Sequence, residues 1–383
     1  MSIKTSLSYC SSQYEKIAEI PLHYGFTPIK APRISKDDST IADGFVHADV
    51  SDPISISEKV ALIRFFIEQK FHEREEPRMF YYSKPYRKKN PGHSFSLDII
   101  GSQDSIADAL LIQTVKATLQ SEGFKNLSVH INSMGERDTL SRLEKELNNH
   151  FRKHAHNIPD KWRPIFQKNA LEIMKCTDEE CEPFVSSAPV IMNYLSEPAR
   201  RHFKEVLEYL ESVGIPYNIN YNLLANKHIA SHTVFEIKDE DSGIELAHGF
   251  RYGRLSKKFG IKKDLSAISA SVSYERPKPK ITLVARKQSK PLFYFIHLGP
   301  SARLKGLNVI ESLREAHIPV QHALTHEKIS GQMQHAQKSG AKYLIIMGQK
   351  EAYENSIVVR EIATWKQENI PVSQIPKLIK QYK

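Results

Sequence analysis

No apolar run in this 383-residue sequence approaches the ~18 residues that span a bilayer, which excludes a membrane-crossing helix. The opening stretch, MSIKTSLSYCSS, has no apolar segment after a basic start, so cytoplasmic residence and no membrane partner are expected. Cysteine is scarce. Cys10, Cys176 and Cys181 are too few, and odd in number, for a disulfide framework, and reduced structural thiols are the expectation. "CTDEEC" has no second cysteine pair to complete a metal site. Internal repeats and low-complexity tracts are absent too. With 40% hydrophobic and 26% charged residues the composition is globular rather than disordered, and the length calls for two or three domains.

Negative charge is lacking in one region in particular. From Arg286 to Lys383 there are 15 Lys and Arg against 7 Glu and no Asp, so this segment holds +8 of the chain's +10. Phosphate neutralisation is the main source of nucleic-acid affinity, so charge concentrated in this way predicts a polyanionic partner.

The same basic segment alternates strand and helix signals. "PLFYFIHLG", "IPVQHAL", "AKYLIIMG" and "NSIVVREI" read as strands, and "RLKGLNVIESLREAH" and "HEKISGQMQHAQKSG" as the helices between them. That order predicts βαβ units and a small, mostly parallel α/β domain over 286–383. A linker rich in proline and positive charge, "YERPKPKITLVARKQSKP", precedes it. Residues 1–285 mix elements without strict alternation. "DSIADALLIQTVKATLQSEG" is an amphipathic helix stopped by Gly123, "NLSVHINS" a strand, and helices dominate about 138–213. "IPYNINYN", "HTVFEIKD" and "GIELAHGF" read as further strands.

His228 and His232 lie four apart, with His248 a few residues on, a spacing that allows a metal site. The hydrolytic version needs a Glu directly after the first His, where Ile229 stands. With 17 histidines in the chain, chance pairs are common, and no metal is expected.

Taken in order, "YGFTPIKAP", "HINSMGERDTL", "NALEIMKCTDEE", "SSAPVIMNYLSEPARRHFKEVLEYLESVGIPYNIN", "HTVFEI" and "KSGAKYLIIMG" resemble the histidyl-tRNA synthetase family over nearly the whole chain. The resemblance implies an α+β fold. Its core, residues 1–285, would be a class II synthetase-like antiparallel sheet flanked by helices, with a mainly helical insertion at about 138–213. Residues 286–383 would be an anticodon-binding-like α/β domain. It also implies a homodimer with Pro32 at its interface. By resemblance, Arg87 in "FYYSKPYRKKNPG" grips the ATP α-phosphate, and Glu275 and Arg276 end the third motif, with the arginine stacking on adenine. Weak ATP binding, with Mg2+ accompanying the nucleotide, is therefore expected.

Elsewhere the sequence departs from the family. Lys89 replaces an acidic residue, and Ser269 and Ser273 replace motif glycines. Where the family has Arg-Pro-Glu-Gly-Thr, holding the substrate's α-amino group, this chain has Ser55-Ile-Ser-Glu-Lys59. The family's Arg-Gly-Leu-Asp-Tyr-Tyr block falls on Ala225-Asn-Lys-His-Ile-Ala230. Loss of one preorganised cation from an adenylate-forming transition state is worth roughly 3–4 kcal/mol. Lys59 or Lys227 would supply part of the charge, without the bidentate geometry of arginine.

These departures predict a protein impaired in histidine activation that keeps its scaffold and binds tRNA or other structured RNA. An active histidine–tRNA ligase with a rebuilt pocket, and a regulatory subunit of another enzyme, are the alternatives. In the basic domain, Lys328 and Lys350 are the expected phosphate contacts and Gln332 a base contact or a solvated helix position.

Overall fold

A computed structural model describes residues 10, 13–45, 56–73, 76–86, 89–154, 156, 158–164, 170–176, 179–276, 282–285, 291–318, 320–322, 324 and 329–375. Arg87, Lys328, Ser55 and most of the proline-rich linker therefore lie outside the described residues. Two large sheets organise the rest, beside a two-stranded antiparallel ribbon that pairs Gln13–Glu15 with Leu283–Ala285. The larger has eight strands: β1 (Thr27–Pro28), β2 (Arg78–Ser83), β3 (Gly92–Ile100), β4 (Leu127–Ser133), β5 (Tyr217–Ile219), β6 (Ala230–Asp239), β7 (Ile244–Tyr252) and β8 (Ala267–Glu275). Their order is β1-β2-β3-β8-β7-β6-β4-β5, antiparallel except at the two edges, where β1 joins β2 and β5 joins β4 in parallel.

Alternation along these strands gives the sheet two unlike faces. Phe95, Leu97 and Ile99 of β3, with Ile268, Ala270 and Val272 of β8, form one continuous apolar surface. Helix α2 (Ser105–Ser121), which follows helix α1 (Ile56–Glu68), lies across it and buries Ile106, Leu110, Leu111 and Val115. Gly123, in the left-handed region at φ 101°, stops α2 where the sequence predicts. The other face is polar in its middle and is partly covered by α1 and the insertion. That insertion opens with helix α3 (Arg137–Lys153), which lies on this face, and closes with helix α4 (Glu197–Ser212), which packs beside α2 on the apolar face. Between these two long helices the described chain forms short helical turns.

The smaller sheet comprises β9 (Phe293–His297), β10 (Val320–His322), β11 (Tyr343–Met347), β12 (Ser356–Glu361) and β13 (Gln367–Pro371), in the order β10-β9-β11-β12-β13. The first three are parallel and linked by helices α5 (Pro300–Glu315) and α6 (Ile329–Ser339), as the alternating signals predict. A short helix α7 (Gln349–Glu354) leads into β12, and β12 and β13 return as an antiparallel hairpin, so the sheet is mixed. Its core is continuous with that of the large sheet. Polar ties reinforce this contact: Asp104 pairs with Arg303 at 2.6 Å, Tyr24 donates to Glu311, and His322 Nε2 lies 2.8 Å from the Tyr24 carbonyl.

One polar node lies inside the apolar layer. Arg251 of β7 is 1% exposed and pairs with Asp108 of α2, itself fully buried. Its guanidinium also donates to Ser102 O and Ser266 Oγ, both at 2.7 Å, and to Asp104 O at 3.0 Å. His202 Nε2 of α4 lies 3.4 Å from the same carboxylate. Burial alone would raise the Asp108 carboxyl; the Arg251 charge and His202 overcome this and hold it well below the usual carboxylate range.

Cys176 and Cys181 correct the expectation of free thiols. A turn-rich segment brings their Cα atoms to 6.1 Å and they form a disulfide, leaving Cys10 free and half-buried. No helix among the described residues is long and apolar enough to cross a membrane.

Removing one partner of a buried ion pair leaves the other uncompensated, at a cost of about 3–5 kcal/mol. Asp108→Asn should therefore lose stability of that order in urea denaturation at pH 7. A loss below about 1 kcal/mol would show that the node is dispensable.

Candidate active site

The polar face of the large sheet is built by register. Directly opposed residues share a face, so Tyr82, Ser96, Ser271, His248, Glu236 and His130 form one row across six strands. The neighbouring row is Phe80, Asp98, Ser269, Phe250, Val234 and Asn132. A floor of hydroxyls, imidazoles and carboxylates between two apolar cores is the feature of this fold suited to binding a polar ligand.

Helix α1 lowers two charged side chains onto this floor. Lys59 Nζ lies 3.1 Å from Asp98 Oδ1, and both side chains are wholly buried. Glu58, one residue earlier, receives Lys84 Nζ at 3.1 Å, and Lys84 also donates to Ser271 Oγ at 3.0 Å. Burial and the adjacent Lys59 charge push the Lys84 ammonium down. The hydroxyls of Tyr82 and Tyr252 and the second oxygen of Asp98 are buried without a hydrogen-bond partner among the described residues. Burial, then the Asp98 charge, drives both phenols far up, so they stay protonated donors.

Both lysines expected to replace lost charge are already paired. Lys59 is held by Asp98 and Lys227 by Glu144 of α3. The Ala225–Ala230 loop is tied down by its own polar groups. Asn226 Nδ2 donates to Phe45 O at 3.0 Å, its Oδ1 accepts from the His228 amide at 2.9 Å, and the half-buried Ala225 packs against the apolar core.

His232 and His248 are engaged separately. His248 Nδ1 meets Glu245, while His232 lies at a β-bulge with φ 53° and its ring faces His202 at 4.9 Å. The amide of His232 bonds Gly135 O, away from β7. No group of three or more metal-ligating side chains occurs among the described residues. Burial, then His202 and Arg251, push His232 down to about 4.

Two further expectations are corrected. Arg276 does not face the cleft. It follows Tyr274 at the two-residue repeat onto the opposite face, where Tyr274 donates to Glu122 Oε2 at 2.9 Å and Arg276 pairs with the same carboxylate. Glu275, one residue earlier, is exposed on the cleft side and accepts from Asn90 at 2.9 Å. Gln332 is neither a base contact nor solvated. It is fully buried, its Oε1 accepting from the His297 amide and its Nε2 donating to the His297 carbonyl, both at 3.0 Å. Lys350 is exposed. The buried set of Arg251, Asp108 and His202 went unread in the sequence; an arginine inside the strand run "AHGFRY" was its one visible signal.

An antiparallel sheet with a polar floor, packed against a basic α/β domain, defines the class II synthetase architecture with an appended anticodon-binding domain. Comparison with known proteins agrees. The model "Anticodon binding domain" matches residues 295–382. The histidine–tRNA ligase of Fervidobacterium nodosum is 30% identical over 321 residues, 80% of this chain and 75% of that protein. That of Halothermothrix orenii is 28% identical over 332 residues, 82% and 78%. Apo histidyl-tRNA synthetase of Staphylococcus aureus shares the fold, with TM-score 0.52 and 23% identity, covering 95% of this chain and 94% of that one. The chain belongs to the histidyl-tRNA synthetase family.

Two measurements check this geometry. Asp98→Asn, which leaves Lys59 buried and unpaired, should cost about 3–5 kcal/mol, while the double variant Lys59→Met/Asp98→Leu recovers most of that loss. No recovery would show that Lys59 has another buried partner. The unfolded chain protonates His232 near 6.5 and the folded chain near 4, so acidification between those values favours unfolding by about 1.4 kcal/mol per pH unit. His232→Gln should flatten the urea midpoint over pH 4.5–6.5. An unchanged slope would place the titration elsewhere.

Proposed function

We propose that this member of the histidyl-tRNA synthetase family is impaired in histidine activation and acts by binding tRNA. The observation that carries the reading is the buried Lys59–Asp98 pair. By resemblance, position 59 belongs to the segment that holds the substrate's α-amino group, and here a protein ammonium takes up the buried carboxylate there. An incoming histidine would have to displace a fully buried charge from the carboxylate that pairs with it, a cost that a specific pocket does not recover. Ala225 and the Lys227–Glu144 pair deepen the deficit, because neither leaves a free cation for the developing phosphate charge.

Nucleotide binding in this reading is weak. It rests on Arg87, since Arg276 is engaged by Glu122 across the sheet, and Mg2+ would accompany the nucleotide. The protein is a homodimer through the segment around Pro32. Its partner is tRNA, supported by the anticodon-binding match and the excess positive charge of that domain. A second reading, an active histidine–tRNA ligase with a rebuilt pocket, is favoured by similarity over about four-fifths of the chain to proteins bearing that name. A regulatory subunit of another enzyme is disfavoured, because such a role does not use an anticodon-binding domain.

Histidine-dependent ATP–pyrophosphate exchange in the presence of unfractionated tRNA separates the first two. Exchange should stay at the no-histidine background, since loss of one transition-state cation alone costs about 10²–10³ in rate. Clear exchange that depends on Arg87 would establish the ligase and end the impaired reading.

A further inference from the structure

We propose that a single-stranded RNA loop is gripped in the groove between α5 and α7, with one base stacked on Tyr353. The inference rests on the RNA-binding reading above and says where in the domain contact is made. Ser301, Leu304 and Lys305 of α5 face Gln349, Lys350 and Tyr353 of α7 across a concave surface of about 820 Å3. A second hollow of about 270 Å3 continues from Lys305 to Asn308. Among the described residues, no carboxylate lines either one.

Tyr353 is 91% exposed on the rim, although rings of this size are ordinarily buried or paired. The other strongly exposed aromatic among the described residues of the domain, Trp365, already has the Arg360 guanidinium 5.6 Å from its ring centre. Tyr353 has no such neighbour among the described residues, so its face is free for a base. Lys305 Nζ donates to Ala352 O at 2.6 Å, which fixes α7 against α5 while leaving two ammonium protons. The Lys350 ammonium is 76% exposed and 3.9 Å from Glu354, too loosely held to be neutralised.

Together these groups offer one stacking face flanked by two cations. From Ser301 to Asn308 the groove runs about 10 Å along α5, room for two successive nucleotides. Paired bases cannot reach Tyr353 without unstacking, so the preferred ligand is a loop rather than a duplex. Gln332 and α6 play no direct part, because that amide is used inside the domain.

The test uses the full-length protein and fluorescence anisotropy with unfractionated tRNA, a decamer of oligouridine, and a fully paired RNA duplex of similar charge. Wild type should bind tRNA and the decamer more tightly than the duplex. Tyr353→Ala should weaken tRNA binding roughly 5- to 150-fold, the range for one base–aromatic stack, while Tyr353→Phe and Trp365→Phe stay near wild type. Lys350→Ala should reduce the log–log salt slope by about one. These side chains are exposed or on the rim, so thermal melts should be unchanged. If wild type binds tRNA and Tyr353→Ala binds equally well, the groove assignment fails and the RNA reading survives. If wild type binds no RNA, or binds all three probes alike, both fail.

Discussion

Arg251 cannot reach water. Its guanidinium lies between the large sheet and α2, and its charge is tolerable there only because Asp108, Ser102, Ser266 and Asp104 supply a carboxylate, two carbonyls and a hydroxyl. Those partners come from α2, from the loop before it and from the segment entering β8. The single buried cation therefore fixes how helix, loop and sheet meet. Asp104 continues the chain of contacts outward to Arg303 of α5 in the basic domain, and Asp108 to His202 of α4. Such a node is weak as a source of net stability, since an apolar replacement of both partners can be neutral. Its effect is to make alternative packings of α2 costly, because each would strand a charge.

The same physics operates on the other face of the sheet with a different consequence. Lys59, Asp98, Glu58 and Lys84 neutralise one another inside the cleft. A binding site for a charged amino acid works by leaving complementary groups waiting for the ligand, at some cost in stability. Here the groups have found partners within the chain. The cleft is quieter electrostatically than its outline suggests, and the unpaired polar atoms beside Lys59 include two phenols and one carboxylate oxygen. In the basic domain the position is reversed: Lys350 and Tyr353 face solvent with little within the chain to occupy them.

The sequence by itself determined the elements and their class. The two-residue alternation of β3 and β8, the apolar density of α2, the glycine stops and the strand–helix order after residue 291 are local signals. They survive because each depends on neighbours a few residues away. Ordered blocks placed the family, and the substitutions at Lys59 and Ala225 were visible as departures from it. Tertiary structure alone decided what those residues do. Whether Lys59 could stand in for a lost cation depended on Asp98, 39 residues away in sequence. Whether Arg276 faced the cleft depended on a strand phase shared with Tyr274 and on Glu122 beyond α2. Gln332 resembled a surface residue until the His297 backbone was found alongside it, and the two cysteines read as thiols until a turn joined them. A side chain's type and spacing are written in the chain. Its protonation, pairing and exposure are set by groups distant in sequence, because charges and hydrogen bonds act through space and the fold chooses the neighbours.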